Sequence, residues 1–432
     1  MVANARSTAR SRLPTQRRGH GTRAGHTVPL AQHLALAAAL VLPTLAYLTI
    51  WISPRPGAEG QWHAYRVLTL ILASLGLVTL PRTWSHLGNF SRLGVVLCLL
   101  VAVQALAWAP FSSPDSMTRA LAHAMGALGG FGLIVLIRDQ THRLRWLIYG
   151  LAIAAGVVGV IALFEYVTGI HLPQRADRAW VFGNALGATF NNPNNFAAHI
   201  SLMIGALVGV GARHPLARVP VAAIVGTLLL ANVMTYSRTA WFTLALCLVV
   251  IAVVTSAGRI SRMIPKLILF GTIPAVLWLV MGGMSSEYSQ KVLSGSGQSN
   301  LLRIELVLQA LGVLIDSLGV GIGPGRIEEM TLHTSLGLAG VSDVHNSILE
   351  MGVAYGLIPA VVLVYIMLGG AKACLKGAKR NRMFTAAGLG AASSLTLGAF
   401  VASSVVGEAA WWLALGATAL AADAIAGGVD ES

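Results

Sequence analysis

The sequence has few charged residues and few cysteines. Only 11% of its 432 residues are charged, whereas soluble domains carry about 25%, so the chain lacks the polar surface that a water-soluble globule needs. Its three cysteines fall in apolar runs (Cys98, Cys247) or in a basic loop (Cys374), so no structural disulfide is expected. No Cys/His spacing predicts a zinc site.

Long apolar runs take the place of charge. Hydrophobic residues make up 55% of the chain, and runs of about twenty recur, each long enough to cross a bilayer as a helix. A closed barrel is excluded because the runs lack period-2 alternation. The pattern predicts an all-α polytopic membrane protein with about twelve transmembrane helices. They are predicted at residues 28–50, 62–81, 92–110, 116–137, 145–167, 195–212, 218–234, 238–256, 266–283, 345–369, 383–405 and 408–427.

The charges that are present alternate between loops. The chain has 30 basic and 16 acidic residues, a net charge of +14. Basic residues concentrate in the N-terminal tail and in every second loop, whereas most acids lie in the loops between. The positive-inside rule therefore places both termini in the cytoplasm. The net charge therefore reflects topology, and no nucleic-acid partner is expected. The predicted organisation is a disordered tail (1–27), one transmembrane domain (28–427) and a short cytoplasmic C-terminus (428–432).

Two long loops, at residues 168–194 and 284–344, fall on the non-cytoplasmic side. The second contains "NLLRIELVLQALGVLIDSLGVGIGPG" (300–325), which predicts an amphipathic helix that lies along the membrane surface or packs over the bundle. Its last residues, "GVGIGPG", do not have the spacing of a phosphate-binding loop and are interpreted as a flexible turn. A loop of this length usually carries a function, so this side is predicted to hold the site.

Polar residues at the mouths of the spans support that prediction. "NNPNNFAAHI" packs four amides around Pro193; helix capping accounts for one or two, and the others are predicted to bind sugar hydroxyls or phosphate oxygens. Arg238 opens the eighth span and Arg303 lies near the start of the surface helix. Arginine's planar fork suits phosphate, although snorkelling to headgroups is the alternative for Arg238. Glu165 and Glu408 are predicted at the lip of the same cavity.

The stretch "VSDVHNSILEMGVAYGLIP" (341–359) supplies a histidine at the start of the tenth span. Ser342 or Asp343 is the predicted helix cap. The positive end of the helix disfavours imidazolium, which leaves His345 neutral and suited to act as a general base; a surface histidine in a loop is the alternative. Gly352 and Gly356 form a GxxxG spacing, which predicts close approach of another helix.

Four features in this order resemble the O-antigen ligase/polymerase superfamily. They are "GATFNNPNNFAAHI", "SR" opening a span, an arginine-led surface helix ending in "GVGIGPG", and "HNSILEMGVAYGLIP". The resemblance covers roughly residues 185–370. It implies a glycosyltransferase of the bacterial inner membrane with a GT-C-like fold, an active site that faces the periplasm, and no metal, cofactor or nucleotide sugar.

The resemblance also implies a reaction and roles for residues. The donor would be an O-antigen glycan on undecaprenyl pyrophosphate, and the acceptor a sugar hydroxyl of the lipid A–core oligosaccharide. By motif, His345 would be the base, and Arg238 and Arg303 would bind the pyrophosphate. The predicted substrate-binding residues are Trp180, Asn191, Asn194, Tyr236 and Asn346. O-antigen polymerases and protein O-oligosaccharyltransferases use the same donor and stay open as alternatives. A lipid-linked glycan transporter is the alternative from another class, which internal repeats would favour.

Overall fold

The computed structural model describes residues 30–48, 64–137, 141–171, 185–190, 192–256, 259, 261–262, 296–326, 346–400 and 405–428. These residues form helices and turns without a strand, so the predicted all-α fold is confirmed over the described part of the chain. The helices are α1 (Leu30–Leu48), α2 (Ala64–Thr83), α3 (Asn89–Trp108), α4 (Pro114–Ile137), α5 (Thr141–Thr168), α6 (Pro193–Arg213), α7 (Arg218–Val233), α8 (Arg238–Thr255), α9 (Ser296–Asp316), α10 (Ser347–Tyr355), α11 (Leu357–Gly377), α12 (Arg382–Phe400) and α13 (Ala409–Ala426).

Nine apolar stretches in the described ranges are long enough to cross a membrane, and they correspond to α2–α7 and α11–α13. Two shorter apolar helices, His33–Leu48 and Ala240–Thr255, lie within α1 and α8. Eleven of the twelve predicted spans therefore coincide with apolar helices, and the predicted span 266–283 lies outside the described residues. The chain is a polytopic α-helical membrane protein.

Four helices form the centre of the bundle. The most apolar windows of α4, α6, α12 and α13 are 78%, 83%, 83% and 72% buried, against 28% and 22% for the windows that contain α2 and α7. The pairs α6–α12, α3–α4, α2–α4, α12–α13 and α1–α5 pack most extensively. Trp411 and Trp412, fully buried at the start of α13, are the largest side chains of this core.

Glycine allows the two central helices α6 and α12 to cross in backbone contact. A Cβ atom on Gly205 would lie 2.5 Å from the carbonyl oxygen of Ala386 and 2.7 Å from Cα of Gly390. Likewise, a Cβ on Gly390 would lie 2.5 Å from the carbonyl oxygen of Ser201. Ser201–Gly205 and Ala386–Gly390 are spaced four residues apart, so each helix presents a strip of small residues to the other. Such strips are the usual way for membrane helices to approach closely.

The predicted tenth span, 345–369, is wrong as a single helix. Gly356 has φ +97°, a conformation that favours glycine, and it ends α10 before α11 begins. A Cβ on Gly356 would meet the backbone of Gly319 and Val320. Its close neighbour is therefore a turn, and the GxxxG interpretation fails at this residue. By contrast, Gly352 has only ordinary contacts, with Leu314 and Ala360.

Candidate functional site

The predicted catalytic residues lie at defined places along the chain. Arg238 is the first residue of α8, as predicted, and Arg303 lies two turns inside α9, which begins at Ser296. His345 directly precedes Asn346, the N-cap of α10. The side chains of Arg238 and Arg303, and the whole of His345, Trp180 and Asn191, lie outside the described residues. Their convergence remains a prediction.

The N-terminal ends of α6 and α8 are joined by a side-chain hydrogen bond. Asn192 is the N-cap of α6, and its Oδ1 accepts the backbone N–H of Asn194 at 2.8 Å. The Oγ of Ser237, the residue before Arg238, donates to Oδ1 of Asn194. The asparagine cluster therefore lies beside the first turn of α8. Asn192 confirms the predicted capping role, whereas sugar binding by Asn194 stays a prediction.

The turn that leads into α8 is held in one conformation. Asn232, fully buried, donates Nδ2–H to the carbonyl of Ala240 at 2.7 Å, and Thr235 Oγ1 donates to the carbonyl of Asn232 at 2.7 Å. Half-buried Tyr236, which follows Thr235 in this turn, adopts φ +50°. This conformation costs a non-glycine residue roughly 1–2 kcal/mol. Strain of this kind persists only where surrounding contacts hold it, so the turn fixes the position at which Arg238 begins its helix.

Glu408 joins α6 to α13 at the same end of the bundle. It occupies the N-cap position of α13, and its carboxylate accepts from Nδ2 of Asn195 at 2.8 Å and from Nε2 of His199 at 2.9 Å. The Nδ1 of His199 lies 3.3 Å from Oγ of Ser394 on α12. His199 is a polar residue that the sequence interpretation missed. Its spacing of four residues from Asn195 places both donors on one helix face. This spacing in the sequence could have identified His199.

Glu165 performs a similar role at the C-terminal end of α5. The residue is 2% exposed, and its carboxylate accepts from Nδ1 of His171 at 2.6 Å and from the backbone N–H of Ala188 at 2.7 Å. Phe190, two residues further on, stacks on the ring of His199 with centroids 5.2 Å apart. Glu165 and Glu408 thus bind the same stretch of chain, residues 187–199. Their predicted place at a cavity lip remains untested.

Asn346 caps α10. Its Oδ1 accepts the backbone N–H groups of Ile348 at 3.1 Å and Leu349 at 3.0 Å. The prediction that Ser342 or Asp343 caps this helix is therefore wrong, because the helix begins later than the apolar pattern indicated. Capping satisfies donors that are otherwise unpaired at a helix start. The residue before the cap, His345, consequently precedes an ordered helix end.

The glycine-rich segment 319–325 holds the other end of α10. The backbone N–H of Ile322 donates to the carbonyl of Val353 at 2.7 Å, and that of Gly323 donates to the carbonyl of Ala354 at 3.1 Å. In return, the N–H of Leu357 donates to the carbonyl of Gly319 at 2.8 Å. The segment follows α9 as a turn, as predicted, but it is not a free turn, because its backbone binds the C-terminal carbonyls of α10.

A buried cluster ties α10 to α4. The hydroxyl of Tyr355 and Nδ1 of His123, both on buried side chains, are hydrogen-bonded at 2.7 Å. The Nε2 of His123 lies 3.8 Å from Oε1 of Glu350. His123 and Tyr355 are 232 positions apart in the sequence, and no local pattern identifies such a pair. Contacts at both ends and along one side therefore hold α10 in place, and His345 lies just before this helix in the sequence.

These contacts place several helix N-termini together. Asn194–Ser237 joins the starts of α6 and α8, and Asn195–Glu408 joins the starts of α6 and α13. Each helix start carries partial positive charge, which suits a nearby anion. The described part of the chain thus defines a polytopic membrane protein with a polar cluster, bonded internally, at one end of its bundle.

Comparison with known proteins finds a family match for part of the chain. Residues 222–365 match the family model described as O-antigen ligase. The match confirms the predicted resemblance over this segment and is consistent with membership of the O-antigen ligase/polymerase superfamily. It spans about one third of the chain and includes Arg238, Arg303 and His345. The asparagine cluster at 191–195 lies before it. No curated protein matches the chain.

Proposed function

We propose that the protein transfers an O-antigen glycan from undecaprenyl pyrophosphate to a sugar hydroxyl of the lipid A–core oligosaccharide, at the periplasmic face of the bacterial inner membrane. The match of residues 222–365 to the O-antigen ligase family carries this proposal, because the family supports ligase or polymerase activity and the segment contains all three predicted catalytic residues. The apolar helices are consistent with substrates that are both anchored in lipid.

The proposed reaction needs a base and a site for a leaving anion. His345 takes the proton of the acceptor hydroxyl as its oxygen attacks the anomeric carbon. The bond from that carbon to the pyrophosphate breaks, and undecaprenyl pyrophosphate leaves with the electron pair. Attack from the opposite face inverts the anomeric centre. A positioned base contributes about 10²–10⁴-fold.

Arg238 and Arg303 are proposed to bind the pyrophosphate. Because pyrophosphate already leaves readily, catalysis depends on stabilising its developing charge and on positioning the two substrates. Arg238 begins α8 beside the start of α6, so the partial positive charge of these helix ends adds to that of its guanidinium. The proposal requires no metal.

Reconstitution tests the proposal directly. The purified protein in proteoliposomes receives lipid-linked O-antigen and purified lipid A–core, with and without EDTA. Glycan on lipid A, formed equally in EDTA, is the expected result. A longer lipid-linked glycan without product on lipid A would identify a polymerase instead. Loss of product on chelation would contradict the metal-independent mechanism, and movement of donor across the bilayer without transfer would identify a transporter.

A further inference from the structure

Helix α9 exposes four large apolar side chains, whereas its polar residues Glu305 and Gln309 are half-buried. Four large side chains, at intervals of three or four residues, are 57%, 62%, 40% and 72% exposed. At about 100° per residue they fall on one stripe of the helix. This stripe, termed the α9 apolar face, consists of Ile304, Leu308, Leu311 and Ile315.

The covered side of α9 packs on α10. Leu306 and Ala310 are 1% and 4% exposed, and Ala310 packs with Val353. Half-buried Glu305 and Gln309 flank this contact, and Nε2 of Gln309 lies 3.4 Å from Oε1 of Glu305. Oε2 of Glu305 and Oε1 of Gln309 are buried, with no hydrogen-bond partner within the described ranges. A surface helix that faces water instead exposes its polar residues and packs its apolar stripe against the protein core.

The α9 apolar face continues into an exposed apolar surface of α11, a candidate membrane span. After α9 ends, Leu318 and Val320 are 90% and 73% exposed. The N–H of Leu357, the first residue of α11, donates to the carbonyl of Gly319. Along α11, a candidate membrane span, Ile358 and Val361 are 72% and 57% exposed. Exposed apolar residues on a spanning helix contact hydrocarbon. Residues 317–323, which follow α9 and contact the start of α11 through this hydrogen bond, contain no charged residue.

We propose that the α9 apolar face is inserted in the bilayer and contacts lipid acyl chains, although α9 is not among the candidate spans. One face of α9 binds α10 and the other binds lipid, which accounts for the inward position of Glu305 and Gln309. This arrangement is that of an interfacial helix held by apolar area. The inference does not depend on the glycosyl-transfer reaction.

Spin labelling in proteoliposomes tests the inference. Nitroxides are attached singly to Leu308→Cys and Ile315→Cys, and the native cysteines are buried. Collision with oxygen, which concentrates in hydrocarbon, is compared with collision with a water-soluble nickel chelate. Val361→Cys on α11 is the hydrocarbon control, and Lys379→Cys, exposed in the basic connection before α12, is the water control.

We expect labels at Leu308 and Ile315 to match the oxygen-to-nickel ratio of Val361. A ratio equal to that of Lys379 would overturn the inference, as would low collision with both reagents, which would mean that protein covers the face. Labels at Ile304 and Leu311 provide two further positions if either first variant is not monodisperse. Oxygen collision should also peak at these four positions and fall at Leu306 and Ala310.

Discussion

At the scale of single residues, most polar side chains near the proposed site bind one another. Ser237 donates to Asn194, and Asn195 donates to Glu408. Asn346 accepts two backbone N–H groups of its own helix. These amides therefore build the helix ends, and the proposed chemistry rests on His345 and the two arginines.

Replacing His345 tests the base. His345→Ala should lower transfer by at least the 10²-fold that a general base contributes, with protein level and membrane insertion unchanged. The assay is glycan transfer by the reconstituted protein. His86→Ala is the matched control, because His86 is exposed in the short helix between α2 and α3 and should keep full transfer. Full activity in His345→Ala would end the base hypothesis.

Replacing the arginines with lysine tests the pyrophosphate site. Lysine keeps the positive charge but loses the planar fork that donates two parallel hydrogen bonds, so Arg238→Lys and Arg303→Lys should each reduce transfer about tenfold or more. The measurement is the initial rate against concentration of lipid-linked donor. Arg82→Lys, at the end of α2, should behave as wild type. Wild-type rates in both site variants would make these arginines membrane anchors.

At the scale of elements, α10 is the best-defined part of the site. Asn346 caps its start, residues 322 and 323 bind its last carbonyls, and the His123–Tyr355 hydrogen bond fixes its side. Because His345 adjoins this helix, movement of α10 should displace the proposed base. A displacement of about 1 Å is enough to lower a catalytic rate about 100-fold.

Two substitutions of Asn346 distinguish a helix-capping role from a substrate-binding role. Asn346→Ala should destabilise the protein by about 0.5–2 kcal/mol, the usual value of an N-cap, and should reduce transfer. Asn346→Ser retains a capping oxygen, so it should keep both stability and transfer. Thermal unfolding in one detergent and the transfer rate are the two measurements. If Asn346→Ser unfolds like wild type but loses transfer as Asn346→Ala does, the amide itself binds substrate.

The sequence predicts the helices better than it predicts the breaks and contacts between them. Runs of about twenty apolar residues located eleven of the helices, because a run of this length can cross a bilayer as a helix whose backbone groups bond internally. The break at Gly356 was missed, since the backbone of residues 319–320 that lies against it belongs to another segment of the chain. The His123–Tyr355 contact was missed for the same reason. His199 was within reach, four residues from Asn195.

At the scale of the whole molecule, tertiary contacts join the ends that the charge pattern assigns to one side. Asn195–Glu408 joins two helix starts predicted to be periplasmic. At the other end, the carboxylate of Asp423 accepts the N–H groups of Phe90 and Ser91, joining the end of α13 to the start of α3, both predicted to be cytoplasmic. An alternation that was wrong by one span between these helices would have separated such partners.

The crossing of α6 and α12 should be the most sensitive point of the bundle. In Gly205→Ala the new methyl group would meet the carbonyl oxygen of Ala386 and Cα of Gly390, and these backbone atoms yield only if α12 moves. Overpacking of this kind costs about 1–3 kcal/mol, so the unfolding temperature in detergent should fall, with a loss of transfer because Asn195 on α6 would shift from Glu408. Gly226→Ala on α7 is the matched control, since a methyl group there meets no atom within 4 Å and alanine favours a helix. An unfolding temperature for Gly205→Ala equal to that of Gly226→Ala would mean that the two central helices do not pack in backbone contact.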